Sequence, residues 1–157
     1  MNKGDNHIFL ETAIFAAKSA ATVINSSYNN SVKTYKSLTD LVTQTDIDSE
    51  KKIIELISSK FPDHSFLAEE SGKKLKPSKF TWVIDPLDGT TNFVHGYPCY
   101  GISIALMHEN ETIVGVVIEL PMNNIYFATN TSSAYCNDDI IQAVSYTHLT
   151  LPTNREV

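Results

Sequence analysis

One stretch, in which a buried-strand pattern runs directly into two carboxylates, constrains this chain more than any other. Residues 80–84 form a short apolar run with aromatic and β-branched residues, which predicts one buried β-strand. Asp85 ends the run, and Pro86 disfavours the helical conformation at the residue before it. The Asp85 carboxylate is therefore expected where the strand leaves the sheet, with Asp88 shortly after it.

The residues that follow Asp88 favour a tight turn and then a short helix. Asp88-Gly89 is a turn-forming dipeptide, and glycine there permits a positive φ or the close approach of another group. Thr90 and Thr91 suit the first positions of a helix. Because a helix N-terminus presents backbone N–H groups that favour anions, the pattern combines carboxylates, hydroxyls and an anion-binding helix start.

The pair Asp85 and Asp88 can be interpreted as a metal site. Two carboxylates this close together repel each other unless a cation lies between them. Carboxylate oxygens are hard donors, which suit Mg²⁺ or Mn²⁺ better than Zn²⁺. The alternative is a capped turn without metal, since Asp-Pro and Asp-Gly dipeptides are common in loops. The spacing alone leaves both interpretations open.

Three motifs lie in order along the chain: D-L-V-T-Q-T-D at 40–46, F-L-A-E-E-S at 66–71 and W-V-I-D-P-L-D-G-T-T-N-F at 82–93. Together they resemble the inositol monophosphatase family of Mg²⁺-dependent sugar and polyol phosphatases. The resemblance covers about residues 5–144. It implies an α+β fold of the layered α/β sugar-phosphatase type, in which two N-terminal helices pack on a largely antiparallel sheet.

The resemblance also assigns metal ligands. Glu69, Asp85 and the backbone carbonyl of Leu87 would hold a first Mg²⁺, and Asp85 and Asp88 would share a second. The family uses two or three such ions to stabilise charge in an in-line displacement at phosphorus. Glu70 would be a neighbouring or surface residue without a direct role.

Catalysis is implied for residues that match the same motifs. Thr90, hydrogen-bonded to Asp46, would orient and help deprotonate a metal-activated water. The backbone N–H groups of Gly89 and Thr90 would bind phosphate oxygens. No phosphoenzyme is expected, so Thr90 positions water and is not a nucleophile. Substrate contacts are implied at Glu69, Leu87, Asp88, Gly89 and Thr90.

The segment T-N-F-V-H-G-Y-P at 91–98 most resembles the inositol-1-phosphatase branch. The expected reaction is hydrolysis of inositol 1-phosphate, and His95 is expected at the rim without a catalytic role. Relatives that act on histidinol phosphate, fructose 1,6-bisphosphate or 3′-phosphoadenosine nucleotides define alternatives. A second hypothesis is a catalytically dead fragment with a dimerising or regulatory role. Some bacterial members of the family associate with the transcription machinery, but no basic stripe or aromatic RNA-binding pattern in this sequence supports that.

Composition narrows the possible partners and the compartment. The 157 residues are 42% hydrophobic, which suffices for one core. The net charge of −6 does not favour binding to nucleic acid or to an anionic membrane. Cys99 and Cys136 are expected to be reduced packing residues. The N-terminus does not resemble a signal peptide, and no apolar run is expected to reach membrane-spanning length. We expect a cytoplasmic protein whose complete parent is a homodimer.

Periodicity predicts the other elements. Apolar spacings of three and four predict a helix over 6–28, and Thr45 as N-cap predicts a second helix over 45–60 with Ile47, Ile54 and Ile57 buried. In that case Asp46 could simply be a helix-start carboxylate. A small hairpin is predicted over 31–42 and a solvated lysine-rich loop over 71–78. Strands are predicted over 65–68, 101–108, 113–118 and 125–128.

The end of the chain departs from the resemblance. Residues 145–157 show no sustained helical or strand period and do not resemble the family. The family continues into a second half with a W-D-x-A-type motif, whose aspartate completes the metal site, and this sequence lacks that motif. We therefore predict an N-terminal portion of the family's domain over 1–144, an unrelated artefactual tail over 145–157, and impaired catalysis by this chain alone.

Overall fold

The structure is a computed structural model that describes residues 3–34 and 38–142, with side chains described over 6–27 and 44–142. This part of the chain contains three helices and eight strands: two helices come first, and the third helix lies between the third and fourth strands. In chain order they are α1 (Lys3–Thr34), α2 (Leu38–Lys60), β1 (Ser65–Ala68), β2 (Gly72–Lys74), β3 (Phe80–Asp88), α3 (Thr90–Val94), β4 (Tyr100–His108), β5 (Glu111–Leu120), β6 (Asn124–Thr129), β7 (Ala134–Cys136) and β8 (Asp139–Ile141).

All eight strands join one sheet in the order β2-β1-β3-β4-β5-β6-β7-β8. The β1–β3 pair is parallel, and the other neighbouring pairs are antiparallel. The parallel pair aligns Ala68 with Ile84, so the next residues, Glu69 and Asp85, lie side by side where this pairing ends. Strand β3 itself continues to Asp88, beyond the end that was expected before Asp85. This largely antiparallel sheet with helices packed on it confirms the expected fold class.

Helices α1 and α2 cover one face of the sheet and form the core with it. The contact surface of α1 is rich in alanine, and small side chains let a helix approach the strands closely. Ala13, Ala16, Ala17 and Ala20 are fully buried. They pack with the inward-facing residues of the strands, among them Trp82, Ile102, Ile104, Leu106, Val116 and Ile118.

The opposite face of the sheet carries smaller and more exposed residues. The ladders align Val83 with Ala105, Ala105 with Gly115, and Gly115 with Ala128 along one row of that face. The adjacent row runs from Asp85 through Ser103 to Val117. Because side chains alternate between faces, the Asp85 carboxylate points away from the helical layer.

The predicted boundary between the first two helices is wrong. Residues 31–34 complete α1 and residues 38–42 begin α2, where a hairpin was expected; residues 35–37 lie outside the described part of the chain. Residues 29–31, Asn-Asn-Ser, continue α1, although the predicted helix ended at residue 28. Asn, Ser and Thr disfavour a helix only slightly, and the region contains neither glycine nor proline to stop one.

The earlier start of α2 changes the role of its first predicted turn. Thr45 is 1% exposed and lies inside the helix, so it is not the N-cap. Asp46, 6% exposed, is likewise not a helix-start carboxylate. Ile47 is exposed and does not join the buried stripe, whereas Ile53 and Ile57 do. Over residues 44–60 the buried side of α2 is thus polar up to Glu50 and apolar after it.

Three smaller expectations also need correction. Residues 72–74 form β2, which pairs with β1 where a loop was expected, although the lysines remain exposed. Cys99 is exposed and is not a packing residue, while Cys136 is half-buried; both are free thiols. The predicted tail over 145–157 lies outside the described residues.

One segment of α1 meets the length and composition criteria for a membrane span, contrary to expectation. Asn6–Ser27 has 22 residues with a mean hydropathy of 1.3. Its alanines pack on the sheet, which accounts for the apolar composition of a core helix. The cytoplasmic location stays a prediction.

Candidate active site

Parallel pairing of β1 and β3 places Glu69 beside Asp85. The Glu69 backbone N–H donates to the Ile84 carbonyl at 3.2 Å, which continues the ladder by one residue. The negative charge of Glu69 is close enough to contribute to the raised pKa of Asp85. The two carboxyl groups therefore share a site that disfavours two negative charges.

A β-bulge turns Asp88 to the same side of the sheet as Asp85. Asp85 pairs with Ser103 and Asp88 with Gly101, so β3 uses three residues where β4 uses two. In a regular strand, residues three apart point to opposite faces. The extra residue reverses the alternation, and both carboxylates therefore lie on the open face. Pro86 and Leu87 are buried within the bulge.

Gly89 makes the turn from β3 into α3 possible. Its φ of 80° lies in the left-handed region, as the sequence predicted. A Cβ atom at this position would lie 2.9 Å from the Cys99 carbonyl oxygen, which is closer than real contacts allow. Both the backbone conformation and the packing thus require glycine. The predicted helix follows as α3, Thr90–Val94.

The Thr90 hydroxyl has a different partner from the one that the resemblance implies. Its Oγ1 donates to the Leu87 carbonyl at 3.3 Å. Among the described residues, Asp46 does not form a hydrogen bond with the Thr90 hydroxyl. The Leu87 carbonyl, an implied metal ligand, is therefore already engaged by one hydroxyl, although a carbonyl oxygen has a second lone pair.

Asp46 lies inside the acidic neighbourhood even though it comes from a different element. Burial raises the pKa of Asp46 to about 7, with further contributions from the negative charges of Glu70, Glu69, Asp85 and Glu50. A carboxyl group with a pKa near neutrality can accept and return a proton under physiological conditions. The structure thus brings together the carboxylates that three separate motifs supply.

Asp85 is the most constrained member of this group. Burial raises its pKa to about 6, helped by the charges of Glu69 and Asp88, while the Leu87 backbone N–H opposes the shift. Its Oδ1 atom is buried and accepts no hydrogen bond. A buried carboxylate oxygen without a donor costs free energy, which an adjacent cation would offset.

The family that this geometry suggests is matched by sequence comparison. A model of the inositol monophosphatase family matches residues 5–155. The chain belongs to this family. The Nus factor SuhB of Pasteurella multocida is 44% identical over 133 residues, which cover 82% of this chain and 50% of that protein. The inositol monophosphatase of Dictyostelium discoideum is 37% identical over 146 residues, which cover 90% and 54% respectively.

Solved structures of the family share the fold. The inositol monophosphatase from Anabaena (Nostoc) sp. PCC 7120 superposes with a TM-score of 0.77 at 35% identity, covering 90% of this chain and 51% of that one. The extragenic suppressor protein suhB from Bartonella henselae gives 0.75 at 32% identity, covering 83% and 52%. The chain spans about half the length of the relatives that it matches.

The donor chemistry of the site fits the metal dependence of the inositol monophosphatase family. The side-chain donors are carboxylates of Glu69, Asp85 and Asp88, and hard oxygen ligands suit Mg²⁺. Asp85 Oδ1 offers a buried acceptor that lacks a donor. Within residues 6–27 and 44–142 no three Asp, Glu, His or Cys side chains already converge at coordinating distance. Glu69, Asp85 and Asp88 are therefore neighbours that would have to move closer together to bind one cation.

His95 occupies the rim of this neighbourhood. Its ring is exposed, and Nδ1 lies 2.8 Å from the Thr91 carbonyl within α3. The chain places it beside the acidic residues in sequence, but its hydrogen bond ties it to its own helix. That His95 has no catalytic role stays a prediction.

Sequence reasoning missed two α2 residues that contact the acidic segments. Ser49 Oγ donates to the Pro86 carbonyl at 3.0 Å. Glu50 accepts hydrogen bonds from the backbone N–H groups of Glu70 and Ser71. The available signal was their spacing from Asp46: positions three and four residues later share a face of a helix.

Proposed function

We propose that this chain carries the acidic half of a Mg²⁺-dependent site that hydrolyses phosphate monoesters of small polyols. One observation carries the proposal: Glu69, Asp85 and Asp88 lie together at the end of the β1–β3 pair, with Asp85 Oδ1 buried and unpartnered. Inositol 1-phosphate is the first candidate substrate. Relatives named inositol monophosphatase support this choice.

The proposed metal ligands are Glu69, Asp85, Asp88 and the Leu87 carbonyl. Bound Mg²⁺, as two or three ions, would neutralise phosphate charge and lower the pKa of a water molecule. Glu69 and Asp88 are exposed, so their carboxylates are accessible to ions and substrate from solvent. Asp85, half-buried between them, is the ligand most firmly held by the fold.

Asp46 and Thr90 are the proposed proton-handling pair. Because the pKa of Asp46 is raised to about 7, its carboxylate can take a proton from water and release it again near neutral pH. Thr90 begins α3, and its hydroxyl can rotate from the Leu87 carbonyl toward the reacting water. Glu69, Leu87, Asp88 and the backbone N–H groups of Gly89 and Thr90 are the proposed substrate contacts.

A second candidate is a binding role without efficient catalysis. A 44% identical relative is named Nus factor SuhB, and the matched region is about half of that protein. Under this alternative the chain would associate with itself or with a regulatory partner. Histidinol phosphate, fructose 1,6-bisphosphate and 3′-phosphoadenosine nucleotides stay as alternative substrates, and the homodimeric parent stays a prediction.

The test combines metal binding with phosphate release. Mn²⁺, a paramagnetic substitute for Mg²⁺, is titrated into the chain, and phosphate release from inositol 1-phosphate and the alternative esters is measured with Mg²⁺. We expect Mn²⁺ binding that Asp88→Asn abolishes, and faster release from inositol 1-phosphate than from histidinol phosphate.

Asp138→Asn is the matched control, since Asp138 is an exposed aspartate in the β7–β8 turn. Mn²⁺ binding that survives Asp88→Asn, or that Asp138→Asn weakens equally, would contradict the metal assignment. Metal binding without any phosphate release would agree with the impaired catalysis expected of this chain alone and would keep the binding role as the second candidate.

A further inference from the structure

Two adjacent residues of α2 contact the two separate segments that carry the proposed metal ligands. We propose that Ser49 and Glu50 form a brace that sets the separation between residues 69–71 and residues 85–88, and that Glu50 is a positioning residue for the metal site. The metal-related part of this inference rests on the proposed function. The brace itself is a property of the fold that can be measured without metal.

Glu50 immobilises the turn that carries Glu69. Its side chain is buried, at 3% exposed, and both of its carboxylate oxygens are used. Oε2 accepts from the Glu70 N–H at 2.7 Å and Oε1 from the Ser71 N–H at 3.0 Å. Such charge-assisted bonds are stronger than neutral ones. Since the Glu69 N–H donates to Ile84, three consecutive backbone amides of the turn are held.

Ser49 holds the other segment. It is fully buried, and its hydroxyl donates to the Pro86 carbonyl at 3.0 Å. Pro86 lies inside the bulge that turns Asp88 to the same face as Asp85. Anchoring its carbonyl to α2 therefore restrains the backbone between the two aspartates.

A single rigid helix thus sets the positions of three acidic elements. Asp46 lies one turn before Ser49 and Glu50, so the three side chains share one face of α2. The following turns anchor the helix to the core through Ile53 and Ile57, both fully buried. Displacement of α2 would therefore move Asp46 and both ligand segments together.

The geometry is specific for glutamate. Glutamine keeps the length but offers one acceptor oxygen and an NH₂ donor, which cannot accept the second backbone N–H. Aspartate keeps the charge and both acceptors but is one methylene shorter, so it does not span the distance to the turn. The pair Glu50→Gln and Glu50→Asp therefore separates the role of charge from the role of reach.

The experiment measures two quantities on the whole chain. Amide hydrogen exchange of Glu70 and Ser71 is followed by NMR without metal, and the dissociation constant for Mn²⁺ is determined separately. Glu50→Gln, Glu50→Asp and Ser49→Ala are compared with the wild type. Glu55→Gln and Ser59→Ala are controls, because both residues are exposed on the same helix.

We expect both Glu50 variants to accelerate exchange at residues 70 and 71 and to weaken Mn²⁺ binding by about ten- to a hundredfold, as for residues that orient metal ligands. Ser49→Ala should weaken binding less, and the controls should leave both quantities unchanged. Glu50→Asp binding Mn²⁺ as tightly as the wild type would overturn the proposal, because charge alone would then explain Glu50→Gln.

The two proposals fail in different ways. A wild-type chain that binds no Mn²⁺ removes the proposed function, while the exchange rates still decide the brace. Unchanged exchange at residues 70 and 71 in both Glu50 variants overturns the brace even when Mn²⁺ binds. Amides of Ile53 and Ile57 serve as internal references, since their protection reports whether a variant retains the folded core.

Discussion

Titratable side chains lie near both ends of β3, but they differ in whether neighbouring groups satisfy their hydrogen bonds. At the N-terminal end, His64 lies among aromatic rings and its Nδ1 accepts a hydrogen bond from Trp82 Nε1 at 3.1 Å. Burial lowers the pKa of His64, with a smaller contribution from Lys76 that Asp63 opposes. The ring centroids of His64 and Phe80 are 4.7 Å apart, and those of His64 and Phe61 are 4.9 Å apart. The neutral imidazole is thus stacked and hydrogen-bonded.

At the C-terminal end of β3 the buried carboxylate is not satisfied. Asp85 has one unpartnered oxygen, and burial raises its pKa, with further contributions from the charges of Glu69 and Asp88. The aromatic cluster at the N-terminal end of β3 therefore stabilises the fold. The carboxylate cluster at its C-terminal end lowers the stability. Functional sites typically contain groups of this kind, whose unfavourable free energy is not offset by other contacts at the same place in the fold.

Trp82→Ala should have the largest effect on stability. Trp82 is fully buried, and its removal deletes both the aromatic packing and the donor to His64. We expect a loss of about 3–5 kcal/mol in the free energy of unfolding, measured by urea denaturation. Leu75→Ala, at an exposed position, is the control. A similar loss in both variants would contradict the assignment of stability to the aromatic end.

Asp85→Asn should have the largest effect on metal binding. The substitution removes a negative charge and one carboxylate oxygen from the proposed ligand set. We expect Mn²⁺ affinity to fall by about a hundredfold or more, measured by titration. Unfolding without metal should not become easier, since a repelled charge is removed. A variant that keeps Mn²⁺ affinity but loses stability would reverse the proposed difference between the two ends.

The metal-free chain should lose stability as pH rises from about 4 to about 7. The folded pKa values of Asp46 and Asp85, about 7 and about 6, lie above the values of unfolded aspartate. A raised folded pKa means that the folded state binds protons more tightly, so deprotonation favours unfolding. Thermal melts across this range measure the slope. Asp46→Asn should flatten it, and excess Mg²⁺ should reduce it; an unchanged slope in Asp46→Asn would contradict the assignment.

The smallest expected effect is an acid-side loss of stability from His64. Because its folded pKa is lowered, the stability that it contributes is present above the unfolded pKa and is lost as pH falls through the folded pKa. Below pH 6.5 this loss opposes the gain that Asp46 and Asp85 contribute, so it should appear in thermal melts as a difference in acid dependence between the wild type and His64→Phe. Mg²⁺ should not change it, because the aromatic cluster lies at the opposite end of β3. Suppression by Mg²⁺ would show that the two ends are coupled.

Short-range pattern sufficed for the strand and turn that carry the site. The apolar run before Asp85, the positive φ of Gly89 and the short helix after it were all predictable, because neighbouring residues determine them. The three motifs were also enough to indicate the family. Helix ends were less predictable: the hairpin expected over 31–42 and the N-cap at Thr45 were wrong, since weak helix formers in that stretch do not stop a helix.

The tertiary structure decided how the acidic residues come together. Glu69 neighbours Asp85 because β1 and β3 pair in parallel, and Asp88 faces the same side because a bulge reverses the alternation. The contacts of Ser49 and Glu50 join helix side chains to distant backbone groups, which no local pattern encodes. The sequence by itself determined which residues could serve as metal ligands and where the turn after β3 lies, although the strand runs to Asp88 and not only to residue 84. Register, bulge and long-range hydrogen bonds decided their arrangement, because these depend on pairing between segments that are far apart in the chain.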